Sequence, residues 1–284
     1  MLGLPERSLK VVLRIVVFAI LSFLGLRIFG WLLFQLGGGL LLTSALSVFL
    51  AAAAANAALM RIYEHARLAD IGFAWNPAAS RNLLLGLAGG VGAAAVVLGG
   101  PLALPAAELQ PVTGAPQGWP ALLFVGILLL FGGVGEEMLF HGYGFQVLLA
   151  ALGPWATILP LSVLFALAHA GNLNISVLGA LNTFGWGVLL GWAFWRSGDL
   201  WLPIGLHVGW NWMLPLAGAN LSGFTMNVTG YAIRWSAGPL WSGGEYGPEG
   251  SILTSAILLV LFLYLRQAPI RRQTPLLLRT REEV

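Results

Sequence analysis

The sequence predicts an all-α, polytopic integral membrane protein with about eight transmembrane helices around a polar intramembrane cavity. Three observations carry that reading. Of the 284 residues, 58% are hydrophobic and only 9% are charged. Soluble domains are nearer a quarter charged and cannot hide so much apolar surface. Uncharged stretches long enough to cross a hydrocarbon core as helices recur from end to end. Within some of them stand carboxylates and imidazoles, although a charged side chain at the bilayer centre costs about 2.5–3.5 kcal/mol on insertion scales.

Spans are expected near residues 11–34, 39–60, 82–104, 119–138, 154–171, 174–195, 201–218 and 250–267. The first follows the cationic flank "MLGLPERSLK". Its apolar run is too long for a signal-peptide core and has no small-residue cleavage site close behind it, so it is expected to be retained. Arg14 and Arg27 lie near its two ends, where their long side chains can snorkel. The second contains "AAAAANAAL", a run of strong helix formers. "RIYEHARLADIGFAWNPAAS" then makes a polar connection with a turn signal at Asn76-Pro77. Residues 219–249, rich in Gly, Ser and Trp, form a long outer loop. Tyr231, Trp235, Trp241 and Tyr246 there suit an interfacial aromatic belt better than a lid. No internal repeat is visible. The chain divides into N-terminal helices and a cytoplasmic loop (1–118), a central core (119–218), and the outer loop, last helix and basic tail (219–284).

Positive charge sets the expected orientation. Lys10, Arg14, Arg61, Arg67, Arg81, Arg196 and the group from Arg266 to Arg281 fall on one side, with Arg234 nearly alone on the other. The positive-inside rule then places both termini in the cytoplasm. The pI of about 9.7 therefore reads as a topology signal and not as nucleic-acid binding. The chain has no Cys, which removes disulfides, cysteine nucleophiles and thiolate metal sites together. A cell membrane, and from the Ala/Gly/Leu-rich composition a bacterial one, is the expected location. The expected partners are membrane lipid and a peptide or protein substrate in or at the membrane.

The polar residues inside the spans define the candidate site. His65 lies in the charged connection and reads as a surface residue. His141, His169, His207, Glu136, Glu137 and Asn211 all fall in apolar helical segments, where ionisable groups are functional candidates by default. Glu137 and His141 are four apart and share a helical face, as do His207 and Asn211. Three helices can thus aim carboxylate, imidazole and carboxamide groups into one cavity. Such groups suit water activation and oxyanion stabilisation.

"EEMLFHG", "FALAH" and "HVGWN" resemble, in order and spacing, the three motifs of the CPBP intramembrane proteases. That superfamily includes type II CAAX prenyl endopeptidases and bacterial bacteriocin-immunity and abortive-infection proteins. Its usual pattern is EExxxR, FxxxH and HxxxN. "ADIGFAW" and "GGEYGPEGS" also look like bacterial members. The resemblance implies an intramembrane endopeptidase that uses Glu136 as the base for the attacking water. His169 would hold that water, and His207 and Asn211 would polarise the scissile carbonyl. Glu137 would support by orienting its surroundings or pairing with His141. One departure stands out: the family's Arg is His141 here. Histidine replaces that fixed cation only when protonated, and it adds an imidazole that the usual motif lacks.

The cofactor is left open by the residues. There is no HExxH, so a compact zinc helix is missing. A divalent metal such as zinc, held by Glu136, His169 and His207, is chemically possible, and a Glu–water mechanism without metal uses the same residues. The rival readings are a proton-linked transporter and a non-catalytic immunity or scaffold protein.

Depth poses a puzzle. At 1.5 Å per residue, Glu136 lies ~25 Å below the outer end of its helix and His207 ~9 Å from the cytoplasmic end of its own. The site should then sit towards the cytoplasmic half, but a straight fifth span would carry His169 to the outer face. The expectation is that the fourth helix runs on through "MLFHGYGFQVLLAAL". The fifth would begin outside the bilayer and end partway through it, with "HAGNLN" as a polar hairpin tip lining a wet cavity.

Overall fold

The computed structural model describes residues 4–114, 118–226 and 228–279, without the side chains of residues 4–7; Arg281 lies outside them. Ten helices follow one another among these residues: α1 (Leu4–Gln35), α2 (Leu40–Tyr63), α3 (Pro77–Ala103), α4 (Trp119–His141), α5 (Tyr143–Leu152), α6 (Pro154–Ala168), α7 (Val177–Ser197), α8 (Trp201–Leu216), α9 (Pro239–Ser242) and α10 (Ile252–Gln267). Five stretches are long and apolar enough to cross a membrane: Ser8–Gln35, Leu40–Tyr63, Pro77–Ala103, Trp119–Leu152 and Val177–Ser197. This is a polytopic helical membrane protein.

Every expected span corresponds to a helix, but three are short. α6 has 15 residues, and α8 and α10 have 16 each; about 20 are needed to span alone. α8 is sheltered from lipid instead, packed by α3, α4 and α7 and buried over most of its length. The fourth span continues as expected, since α4 and α5 together make the apolar stretch Trp119–Leu152. A break at Gly142 separates them. α6 stops at Ala168, and residues 169–176 turn the chain into α7, whose first N–H groups are capped by Ser176.

The nearly all-α fold carries one short addition, β1 (Ala107–Pro111) paired antiparallel with β2 (Tyr231–Trp235), Ala107 opposite Trp235, and two other expectations need correction. This ladder ties the α3–α4 connection to the long loop after α8; Ala107–Pro111 alternates apolar and polar residues over only five positions, and Tyr231–Trp235 does not alternate. The loop itself is more than an aromatic belt. Leu221, Met226 and Tyr246 are buried in it, and part of it covers the cavity described below. Arg14, finally, does not simply snorkel: its guanidinium pairs with Glu64 at 3.1 Å, and Glu64 also accepts from the Tyr143 hydroxyl at 2.8 Å. His65, as expected, is exposed.

The most extensive helix pairing is α3 against α8. Gly86 and Gly90 on α3 are four residues apart, and Gly205 lies opposite on α8. A β-carbon on Gly90 would run into the Leu206 carbonyl and the Trp210 backbone nitrogen. Small residues at this spacing let membrane helices approach backbone to backbone. Gly90→Val is therefore expected to destabilise the protein by about 1–3 kcal/mol or more. The loss would show as a lower melting temperature in detergent, and it would displace the Trp210 stretch of α8 from the site.

The chain's C-terminal segment is fastened to the opposite end of the same helix. Asp199, buried ahead of α8, accepts from Asn82 at 2.6 Å and Gln273 at 2.5 Å, and its other oxygen accepts from the Leu202 N–H. Burial raises its carboxyl above the usual value despite these donors. α8 is thus held at its start by a polar knot and along its length by close packing.

Candidate active site

Adjacent residues on a helix point about 100° apart, so Glu136 and Glu137 serve different surroundings. Glu136 lines a cavity of about 230 Å³, together with His169, His207 and Asn211. Glu137 turns away from it and is fully buried. Its two oxygens divide their work: Oε2 meets His141 Nδ1 and Oε1 meets His207 Nδ1, both at 2.7 Å. One carboxylate thereby orients two imidazoles, one from its own helix and one from α8.

This contact fixes tautomers by chemistry. An ionised carboxylate only accepts hydrogen bonds, so Nδ1 of both His141 and His207 carries a proton. The same holds for His169, whose Nδ1 donates to the Phe165 carbonyl at 2.8 Å. In the neutral rings of His169 and His207, Nε2 is then a bare lone pair. Both atoms face Glu136 Oε2, at 3.5 and 3.8 Å, and that oxygen is buried with no hydrogen-bond partner among the described residues. Three acceptors converge with no donor between them. A water molecule or an added proton satisfies such a group; an empty space does not.

The supporting framework is equally specific. Phe165 stacks beside His169 with ring centroids 4.6 Å apart and meets His207 edge-on at 6.4 Å. His141 stands behind Glu137, nearly buried, with its ring edge-on to Phe145, and does not line the cavity. Asn56, on α2, bridges the break between α4 and α5. Its amide donates to the Met138 carbonyl at 3.0 Å and its oxygen accepts the Tyr143 N–H at 2.6 Å. Asn56→Ala would strand both groups, at about 1–3 kcal/mol for a buried unsatisfied partner. A lower melting temperature and reduced activity are expected together, because the carboxylate pair sits one turn before the break.

The metal question can be put to this geometry. Imidazole and carboxylate are suitable zinc donors. Among the described residues, however, no group of three or more His, Asp or Glu side chains is arranged as a metal site. Of the candidate ligands, His207 gives Nδ1 to Glu137 and keeps Nε2, and Glu136 Oε2 lies 3.5 and 3.8 Å from the two imidazoles. No step below passes through a metal.

Residues 118–213, which include all these motif residues, match the family model of the type II CAAX prenyl endopeptidase Rce1-like proteins. The match supports the resemblance to CPBP intramembrane proteases drawn from the three motifs. It implies, at a coarse level, intramembrane CAAX-type protease activity on a membrane-associated peptide. No match was found among curated proteins. The matched stretch covers α4 to most of α8, so α1 to α3 and everything after α8 lie outside the match.

Those outer parts nonetheless contribute to the cavity. Leu41, Ser44 and Val48 come from α2, while Ser222, Phe224 and Glu249 come from the loop segments after α8. The cavity therefore extends from Glu136 towards the end of the helices opposite the C-terminal tail, and not only towards the tail's side. Glu249 sits in a Gly-rich loop, with no helical phase linking it to the motifs, so spacing alone does not place it at the site. The only signal near it was the fragment "GGEYGPEGS". Asn56 gave a weaker one, as the single polar residue in an alanine run.

Proposed function

We propose that this protein is an intramembrane endopeptidase in which Glu136 activates a water molecule. The observation that carries the reading is the convergence of Glu136 Oε2 with the bare Nε2 atoms of His169 and His207 inside a largely apolar cavity. A water there donates one hydrogen to Glu136 and the other to His169. As its oxygen attacks the scissile carbonyl carbon, the first proton passes to Glu136, which is general base catalysis. Glu136 then returns the proton to the amide nitrogen, the C–N bond breaks, and a carboxylic acid and an amine are released, the water's second proton remaining with the acid until it ionises.

His207 has a stricter requirement. With Nδ1–H held by Glu137, it polarises the carbonyl only when Nε2 is protonated too. Glu137 is then the counter-charge of that imidazolium, at 2.7 Å. Asn211 lines the same cavity one turn further along α8 and supplies a neutral donor to the developing oxyanion. His141 donates to the other oxygen of Glu137 at 2.7 Å and so holds that carboxylate in place for His207.

The reading is tested by incubating detergent-purified protein with a peptide library in water enriched in oxygen-18. Hydrolysis puts one heavy oxygen in each new carboxyl terminus, visible by mass spectrometry. Products without that label would mean a contaminating or non-hydrolytic route. No products, alongside proton flux in liposomes driven by a pH gradient, would favour a transporter.

A further inference from the structure

The cavity holds a second carboxylate, Glu249, that hydrolysis leaves unused. Glu249 lies between α9 and α10, outside residues 118–213. Its Oε2 accepts both the backbone N–H of Ser222 at 2.5 Å and the Ser222 hydroxyl at 2.9 Å. Two donors on one oxygen fix the direction of the group and turn its other oxygen towards the cavity that Glu249 lines. Ser222 is held to this task by a tight reversal, with φ at 50° and an antiparallel bridge between Leu221 and Phe224. Glu249 lines the same cavity as His169 and Glu136, which places it in the compartment where the reaction would occur.

The rest of the lining says what such a carboxylate would meet. Among the described residues that line the cavity there is no Lys or Arg, whereas Glu136 and Glu249 both do so. Aromatic faces of Phe165, Trp186, Trp210 and Phe224 surround them. A carboxylate within aromatic walls is the setting that attracts a cationic nitrogen and packs its aliphatic stem. The indole N–H of Trp186 is buried, at 7% exposure, and finds no acceptor among the described residues, whereas that of Trp210 is directed at the Glu249 carboxylate. The Trp186 donor is one that a peptide carbonyl can satisfy. A substrate presenting a free carboxylate here would instead meet like charge. Burial pushes the Glu249 carboxyl above the usual carboxylate range, against the donors from Ser222.

We infer that Glu249 selects a positively charged nitrogen on the peptide substrate, a Lys or Arg side chain or a free amino terminus close to the bond that is cut. The assignment rests on the endopeptidase reading for its substrate class, and Glu249 acts by binding, not in the bond-breaking step.

The test uses binding, so that it does not depend on turnover. Purified Glu136→Gln protein is immobilised in detergent and offered amidated Ala/Leu peptides with one randomised position, including norleucine and citrulline. One set is N-acetylated and the other has free amino termini. Lys and Arg are expected to be enriched at least about tenfold over their uncharged isosteres. Adding Glu249→Gln, whose amide oxygen can still accept from Ser222, should abolish the enrichment while neutral peptides continue to bind. Enrichment confined to the free-amine set assigns the site to the amino terminus. Absence of any charged enrichment, or its persistence in the Glu249→Gln background, overturns the assignment. Cation selection by a protein that never cleaves would sink the endopeptidase reading alone; cleavage without selection would sink this one alone.

Discussion

Glu136→Gln is expected to lower the rate of peptide hydrolysis by about 10²–10⁴-fold, the usual contribution of a positioned general base. Its side chain keeps the size and the acceptor oxygen but cannot take a proton from water. The residue is only partly buried and makes no hydrogen bond through Oε2 among the described residues, so the melting temperature should barely move. That combination separates chemistry from scaffolding. Initial rates with a cleavable peptide, read beside thermal unfolding, provide the check. Rates within a few fold of wild type would remove Glu136 from the role of base.

Glu137→Gln should cost almost as much activity from a residue that never faces the cavity. The carboxylate accepts from two imidazoles at once. An amide offers one acceptor oxygen and one donor, so one of the two rings must reverse its tautomer or lose its bond. If His207 yields, its counter-charge is gone and the polarised carbonyl with it. A drop in kcat of roughly 10²–10⁴-fold is expected, with KM little changed, as when a catalytic histidine loses its orienting carboxylate. Unlike Glu136→Gln, this variant should also melt earlier, by about 1–3 kcal/mol for a buried partner left unsatisfied. Glu137→Leu, which orphans both rings, should be worse on both counts. A Glu137→Gln protein with wild-type kcat would show that His207 needs neither its tautomer nor its counter-ion.

Some of this was legible in the residues. Hydropathy alone marks where helices begin and end, because the cost of lipid-exposed polar backbone forces helices wherever apolar runs are long. Glu136, His169, His207 and Asn211 announced themselves because ionisable and amide groups are expensive in apolar segments. The four-residue steps from Glu137 to His141 and from His207 to Asn211 placed each pair on a common face. Family motifs then tied the three segments to one another.

Other features needed the folded chain. Phase along a helix says which face a residue occupies but not which neighbour it meets, so the sharing of Glu137 between His141 and His207 depends on how α8 lies against α4. Gly86, Gly90 and Gly205 are ordinary glycines in a glycine-rich sequence until the backbones of α3 and α8 are seen to touch. Arg14 reads as a snorkelling cation until Glu64 stands beside it. The loop that follows α8 gives the clearest case. Its irregular backbone has no period to extrapolate, and only its pairing with β1 and the two bonds from Ser222 bring Glu249 into the cavity. The sequence by itself therefore determined a helical membrane protein with ionisable side chains set inside its apolar spans, since burial costs act on each residue where it stands. Tertiary structure decided which carboxylate faces the reaction and what else surrounds it, since those are relations between segments that local chemistry cannot specify.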